Sequence, residues 1–383
     1  LRVLHKVGSR MRVAIDSQIF SIQEFGGISR YFCNLALELD ALPDVAAQIL
    51  CPFHINEHLT GTPRPPYSGW SNPRIPRTGR LIRLLVRPVC EYMLMTSFRP
   101  DVLHETYFAS QFKRLRGIGR VITVFDMVYE KFPQLFHPND PTPAEKSRAV
   151  RRADRVICIS KSTRDDLVSI LGIPEEKISV TYLGPSNLCQ LAATETQVGS
   201  APGTLRPSPF FLYVGRRGGY KNFARVLKAF GSSARLSGEF QIVCFGDVPF
   251  NDAERALMGR LSLPTESVVH VQGGDDILAA YYQAAVALIY PSLCEGFGIP
   301  PLEAMALDCP VLCSNTSAIP EVVGDAGMYF DPCDVDSIRA AILQIVDSEN
   351  LRDELVRKGR ARCKLFSWER CANETLQAYR TIA

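Results

Sequence analysis

Two carboxylates stand eight positions apart in Tyr290-Pro291-Ser292-Leu293-Cys294-Glu295-Gly296-Phe297-Gly298-Ile299-Pro300-Pro301-Leu302-Glu303-Ala304-Met305-Ala306. An ionised carboxylate accepts paired O–H hydrogen bonds, so Glu295 and Glu303 can grip separate hydroxyl-bearing rings. Gly296 and Gly298 let the backbone come close to a ligand. Pro300-Pro301 opens a helix whose first N–H groups can face phosphate or sugar oxygens. Glu303 is expected in the first turn of that helix, where its alternative role is to complement the helix dipole, worth about 0.3–1 kcal/mol. A second stretch, Val214-Gly215-Arg216-Arg217-Gly218-Gly219-Tyr220-Lys221-Asn222, puts two or three cations and flexible backbone at a strand-to-helix turn. A diphosphate needs that arrangement. The spacing fits neither a P-loop nor GxGxxG. The alternative is a solvated cluster of surface charge.

These turns must be positioned by strands and helices. Apolar runs of strand length recur at 11–16, 48–52, 102–104, 120–125, 156–160 and 178–182, separated by helical patterns such as Ser29–Leu39. Residues 186–209 are dominated by Ser, Thr, Ala, Gly and Pro and read as a linker. A second series then begins at 210–215 and continues through 241–246, 268–271, 286–290, 311–314 and 328–330. Buried parallel strands alternating with helices give an α/β protein of two Rossmann-like doubly wound domains facing a cleft. The expected units are 11–185, joined by a C-terminal helix over 367–383 with Ser367 as N-cap, and 210–366. Met11 is read as a candidate start, because the residues before it match no element.

The 383 residues exceed what one core efficiently serves. No run approaches the ~20 apolar residues of a membrane-spanning helix, and no signal peptide is apparent, so a cytoplasmic location is expected. Twelve cysteines are scattered through apolar segments without a CxxC pair and read as reduced core residues. Residues 1–190 carry 25 basic against 18 acidic groups, and residues 191–383 carry 18 against 22. A net charge of +3 does not suggest nucleic-acid binding, while the basic first half suits an anionic partner. On a helical wheel Arg77, Arg80, Arg83 and Arg87 of Arg77–Phe98 share one side, which reads either as a solvent face or as a peripheral contact with an anionic membrane.

The Glu295–Glu303 stretch resembles the E-x7-E signature of glycosyltransferase family 4, the group 1 glycosyltransferases, retaining enzymes of the GT-B fold. Ser314, Ile319-Pro320-Glu321-Val322 and Gly324-Asp325-Ala326-Gly327 resemble the same family, and the match runs from Met11 to Ala383. By that resemblance Glu295 lies near the donor sugar and Glu303 holds the ribose hydroxyls. The backbone of Gly296, Phe297 and Gly298 meets sugar and phosphate, and Lys221 with Arg216 or Arg217 neutralises the leaving diphosphate. Gly27, between the first strand and helix, falls where relatives place glycines against the donor phosphates or acceptor, and Gly273 where they meet the nucleobase. Many relatives carry a His-Asp pair where this chain has Phe125-Asp126. Asp126 is the first polar candidate near the reacting centre, Glu105 the second and His104 the third, each with the alternative of a hydrogen-bonded strand end.

The resemblance implies a nucleotide-diphosphate sugar donor, GDP-mannose being favoured, and a glycan or lipid-linked acceptor of cell-surface polysaccharide synthesis. No cofactor is expected. Asp334-Val335-Asp336 follows the last strand, away from the inferred cleft, so no metal site is expected either. A nucleotide-sugar epimerase or a phosphorylase on a similar scaffold would differ in its products, and a non-catalytic sugar-binding protein would bind without turnover.

Overall fold

A computed structural model describes residues 10–61, 63–71, 89, 92–109, 117–186, 188, 208–246 and 248–383. The chain divides into two compact units, residues 1–184 with 367–383 and residues 185–366. The predicted linker falls almost wholly outside the described residues, as do Arg77, Arg80, Arg83 and Arg87.

Each apolar run named above forms a strand, because a parallel strand covered on both faces must be apolar on both. In the first unit β1 (Met11–Ile15), β2 (Val45–His54), β3 (Tyr67–Ser71), β4 (Val102–Glu105), β5 (Gly119–Val124), β6 (Arg155–Cys158) and β7 (Ile178–Val180) pair in parallel in the order β3-β2-β1-β4-β5-β6-β7. The connecting helices are α1 (Gly27–Asp40), α2 (Val128–Lys131), α3 (Thr142–Arg152) and α4 (Lys161–Leu171). In the second unit β8 (Phe210–Val214), β9 (Gln241–Phe245), β10 (Val268–Val271), β11 (Ala287–Tyr290), β12 (Val311–Ser314) and β13 (Gly327–Phe330) form a parallel sheet in the order β10-β9-β8-β11-β12-β13. Its helices are α5 (Phe223–Gly231), α6 (Ala234–Glu239), α7 (Asp252–Arg260), α8 (Asp275–Ala284), α9 (Ile299–Ala306), α10 (Ile319–Val323), α11 (Val335–Asp347) and α12 (Glu349–Cys363). Both orders reverse once, between β1 and β4 and between β8 and β11. Open α/β sheets bind ligands outside the carboxyl ends of the strands at such reversals.

Helix α13 (Trp368–Arg380) belongs to the first unit, and its N-cap Ser367 hydroxyl accepts the Arg370 N–H at 3.1 Å. Two features seat it. A Cβ at residue 184 would come within 2.5 Å of the Trp368 backbone N, so only Gly184 admits the helix start. The Tyr379 hydroxyl hydrogen-bonds His104 Nδ1 at 2.6 Å, and His104 Nε2 meets the Thr123 hydroxyl at 2.8 Å.

For His104 and Glu105 that geometry favours the alternative of a hydrogen-bonded strand end over a catalytic role. His104 is wholly buried, and burial pushes its pKa down to about 3, so it is a neutral core residue bridging β4, β5 and α13. Glu105 is also fully buried, with Arg152 of α3 as its partner at 3.2 Å. Burial outweighs the Arg152 attraction and, with the nearby Asp16 charge, lifts the Glu105 carboxyl to about 7.

Folding therefore makes Glu105 bind its proton more tightly. The resulting stability is complete below the unfolded value of 4.5 and is lost as the pH rises through about 7. At 1.36 kcal/mol per unit this amounts to roughly 3 kcal/mol. The melting temperature should fall across that window, and Glu105→Gln should flatten the fall. An unchanged slope in the variant would contradict this account of Glu105.

Candidate active site

In the second unit three loops leave the carboxyl ends of the central strands β8, β11 and β12. The β8 loop runs from Gly215 to Asn222 and ends in a short turn, Gly219–Lys221, with Asn222 in the left-handed conformation at φ 60°. Its bend is held from within by the Tyr213 hydroxyl, which donates to the Arg216 carbonyl at 2.8 Å. The β11 loop is bound to it twice: Leu293 N–H donates to the Tyr220 carbonyl at 2.8 Å, and the buried Asn222 amide donates to the Pro291 carbonyl at 3.0 Å. From the β12 loop the Thr316 hydroxyl donates to the Leu293 carbonyl at 3.2 Å, and the Ser317 hydroxyl accepts the Glu295 N–H at 2.9 Å.

This scaffold brings Lys221 Nζ to 2.6 Å from Glu295 Oε1, a lysine and a glutamate 74 residues apart in sequence. Tyr290, at the end of β11, hydrogen-bonds the same carboxylate, and burial with that negative neighbour drives the phenol well above its ordinary pKa. Lys221 Nζ also lies 5.3 Å from the Tyr220 ring centroid and 5.8 Å from that of Tyr290. The pair keeps some solvent access, with side-chain exposures of 23% and 12%. It is thus reachable by a ligand.

The two adjacent arginines separate. Arg217 is buried; its Nε meets Glu254 Oε1 at 2.9 Å, its guanidinium donates to the Val248 and Pro249 carbonyls, and it stacks 4.7 Å from the Phe250 ring centroid. It fastens the β8 loop to the start of α7. Arg216 turns to solvent, and no ion pair with a described residue engages it. The diphosphate role left open between them therefore fits Arg216.

Helix α9 begins at Ile299, so Glu303 lies in its second turn, which corrects the first-turn expectation and removes the helix-dipole alternative. Glu303 is only 4% exposed and accepts the Tyr282 hydroxyl of α8 at 3.0 Å. Gly298 caps the helix at φ +126°, a conformation that a side chain would strain. Because Pro300 and Pro301 have no N–H and Leu302 N–H is bonded to the Gly298 carbonyl at 3.2 Å, the amides this helix end can offer are those of Gly298 and Ile299. The Phe297 side chain is buried against Phe366, leaving its backbone as the part that can meet a ligand. Gly273 is exposed between the edge strand β10 and α8.

In the first unit Gly27 starts α1 and is exposed. Asp126 follows β5, half-buried, with Oδ1 accepting Val128 N–H at 3.1 Å. Phe125, in the place of the relatives' His, packs edge-on against Tyr31 at 5.2 Å and Phe32 at 6.1 Å. The sequence reading missed Asp16, a fully buried carboxylate that accepts from Gln18 Nε2 at 2.6 Å and Thr106 N–H at 3.0 Å and so ties the β1 and β4 exits together. It also missed the supporting roles of Tyr290, Ser317 and Tyr282. Tyr290 ends an apolar strand next to the motif, a signal that was present; Ser317 and Tyr282 carry none.

Two Rossmann-like parallel sheets, with the chain end returning to the first unit, make up the architecture of the GT-B fold. The sucrose-phosphate synthase of Thermosynechococcus elongatus superposes with a TM-score of 0.74 at 21% identity over 97% of this chain and 99% of its own. Residues 202–362 match the family described as glycosyl transferases group 1, and residues 25–184 match glycosyltransferase family 4. The chain belongs to this family, and it is a hexosyltransferase. It is 28% identical to O-antigen chain mannosyltransferase B of Escherichia coli over 93% of this chain and 96% of the relative, and 29% identical to the O-antigen chain mannosyltransferase RfbU of Salmonella typhimurium over 62% and 63%.

A charged hydrogen bond contributes about 1.5–3 kcal/mol, so Lys221→Ala should weaken donor affinity about ten-fold or more. Arg216→Ala should weaken it too, whereas Arg217→Ala should lower the melting temperature first. Calorimetric affinity unchanged in folded Lys221→Ala and Arg216→Ala would sink the assignment.

Proposed function

We propose that the protein moves a hexose, mannose in the first instance, from a nucleotide-diphosphate sugar such as GDP-mannose to a glycan or lipid-linked acceptor of cell-surface polysaccharide, with retention of anomeric configuration and without a divalent ion. The observation that carries this reading is the Lys221–Glu295 pair at 2.6 Å, with exposed Arg216 on the same loop. Lys221 and Arg216 are placed to take the charge of a departing diphosphate. Glu295 is placed to act on the sugar as it becomes cation-like. Asp126 acts on the acceptor side, orienting the nucleophilic hydroxyl or taking its proton, with the donor phosphate oxygen as the other base. The choice of mannose rests on the E. coli relative, which spans nearly the whole of both chains.

Preorganised charge aimed at the developing phosphate anion is commonly the largest catalytic contribution, and loss of one such group costs about 10²–10³ in rate. Glu295→Gln should depress kcat on that scale, while Glu303→Gln, if Glu303 anchors ribose, should chiefly raise the donor KM by about ten-fold. The assay is nucleoside diphosphate release across a panel of donors with cell-envelope lipid extract as acceptor. No release with any donor would defeat the proposal, and the opposite kcat and KM pattern would exchange the roles of the two carboxylates.

A further inference from the structure

Beside Asp126 the first unit carries a cluster that neither its stability nor the donor site accounts for. Tyr107 stands two residues past β4, Tyr129 lies on α2, and Phe136 follows the Pro133–Leu135 turn. Tyr129 and Phe136 stack at 3.8 Å between centroids with 21° between ring planes. Thr142 at the start of α3 lies beside both tyrosine hydroxyls, and its N–H donates to Asp140 Oδ1 at 2.9 Å. Tyr107, Tyr129, Phe136, Asp126 and Asp140 are all half-buried, neither core nor free surface. Beneath them lies Lys146, which is 2% exposed; its Nζ donates to the Asp126 carbonyl at 2.9 Å and to Glu130 Oε2 at 2.8 Å, 5.9 Å from the Tyr129 ring centroid. The other Glu130 oxygen is buried without a hydrogen-bond partner.

We propose that Tyr107, Tyr129 and Phe136, with Asp126 and Asp140, form the subsite for a neutral pyranose ring of the acceptor glycan; this rests on the transferase reading above. Aromatic faces cover the C–H face of a sugar ring, while carboxylates and phenols pair with its hydroxyls. A hexose presents both surfaces at once. Among the described residues the cation against the Tyr129 ring, Lys146, is buried and already paired, so the two carboxylates dominate the field met by a ligand. A phosphate group is disfavoured there by like-charge repulsion, which places any lipid pyrophosphate of the acceptor elsewhere. Lys146 is a positioning residue: by holding the Asp126 carbonyl and α2 together it fixes Asp126 relative to the Tyr129 ring. The carboxyl ends of β4 and β5, from which Tyr107 and Asp126 emerge, lie next to the order reversal at β1 and β4, where such sheets bind ligands.

The test uses the full chain and two probes, methyl α-mannopyranoside and mannose 6-phosphate, read by saturation-transfer NMR, together with calorimetry of the nucleoside diphosphate that the parent binds. In Tyr129→Ala the methyl mannoside signal should be lost and the acceptor KM should rise about ten-fold, with nucleotide affinity held within about two-fold. Tyr129→Phe should show a smaller effect, and mannose 6-phosphate should give the weaker signal with the parent. Should Tyr129→Ala fail to fold, Asp140→Asn decides by the same readouts. Unaltered acceptor KM and signal in a folded variant, preference for the phosphorylated probe, or no signal from a parent that binds nucleotide would each overturn the subsite. A parent that binds no nucleoside diphosphate would instead defeat the transferase reading itself.

Discussion

The contact between Lys221 and Glu295 is the constraint around which the second unit is built. Opposite charges 74 residues apart meet only if β8 and β11 are neighbours, if their exit loops bend toward each other, and if the β12 loop supports them. Parallel pairing supplies the first condition, and the hydrogen bonds of Asn222, Leu293, Thr316 and Ser317 supply the others. The pair also settles a chemical problem. A partly buried lysine and a partly buried glutamate would each be costly to desolvate alone; joined, each offsets the other's charge and holds it in place. In the proposed reaction the incoming diphosphate takes up the Lys221 charge and leaves Glu295 to the sugar.

The first unit repeats the topology and uses its polar groups differently. The strand ends at its order reversal hold buried links: Asp16 joins the β1 and β4 exits, His104 reaches Tyr379 on α13, and Glu105 meets Arg152. They fix the sheet and fasten the returning C-terminal helix. In the proposed reading, chemistry facing a ligand is displaced one strand along, to Asp126 and the aromatic side chains around it. Phe125 fits that division, since its ring packs with Tyr31 and Phe32 where an imidazole would have added a second polar group.

Much of this was legible in the sequence because strands covered on both faces must be continuously apolar. Strand β3 escaped notice for the complementary reason: Tyr67–Ser71 holds two serines and a glycine, pairs only with β2 at the sheet edge, and shows no apolar run. The Glu295–Glu303 loop and the Gly215–Lys221 turn were visible because a local motif was enough. Between a catalytic role and a hydrogen-bonded strand end, His104 and Glu105 stayed open in the sequence because the groups that bury them, Tyr379 and Arg152, come from α13 and α3. The ambiguity between Arg216 and Arg217 likewise needed Glu254, 37 residues beyond Arg217, to resolve it. Side chains whose role is set by a distant partner carry no mark of that role in their own neighbourhood.

The central claim, that fixed cations rather than a metal ion take the diphosphate charge while the new bond forms on the face the leaving group vacates, is tested most directly by the anomeric configuration of the product. NMR of the linkage formed with a chelator present should show the same configuration as the donor sugar at an undiminished rate. An inverted linkage, or activity abolished by the chelator and restored by a divalent ion, would contradict the account.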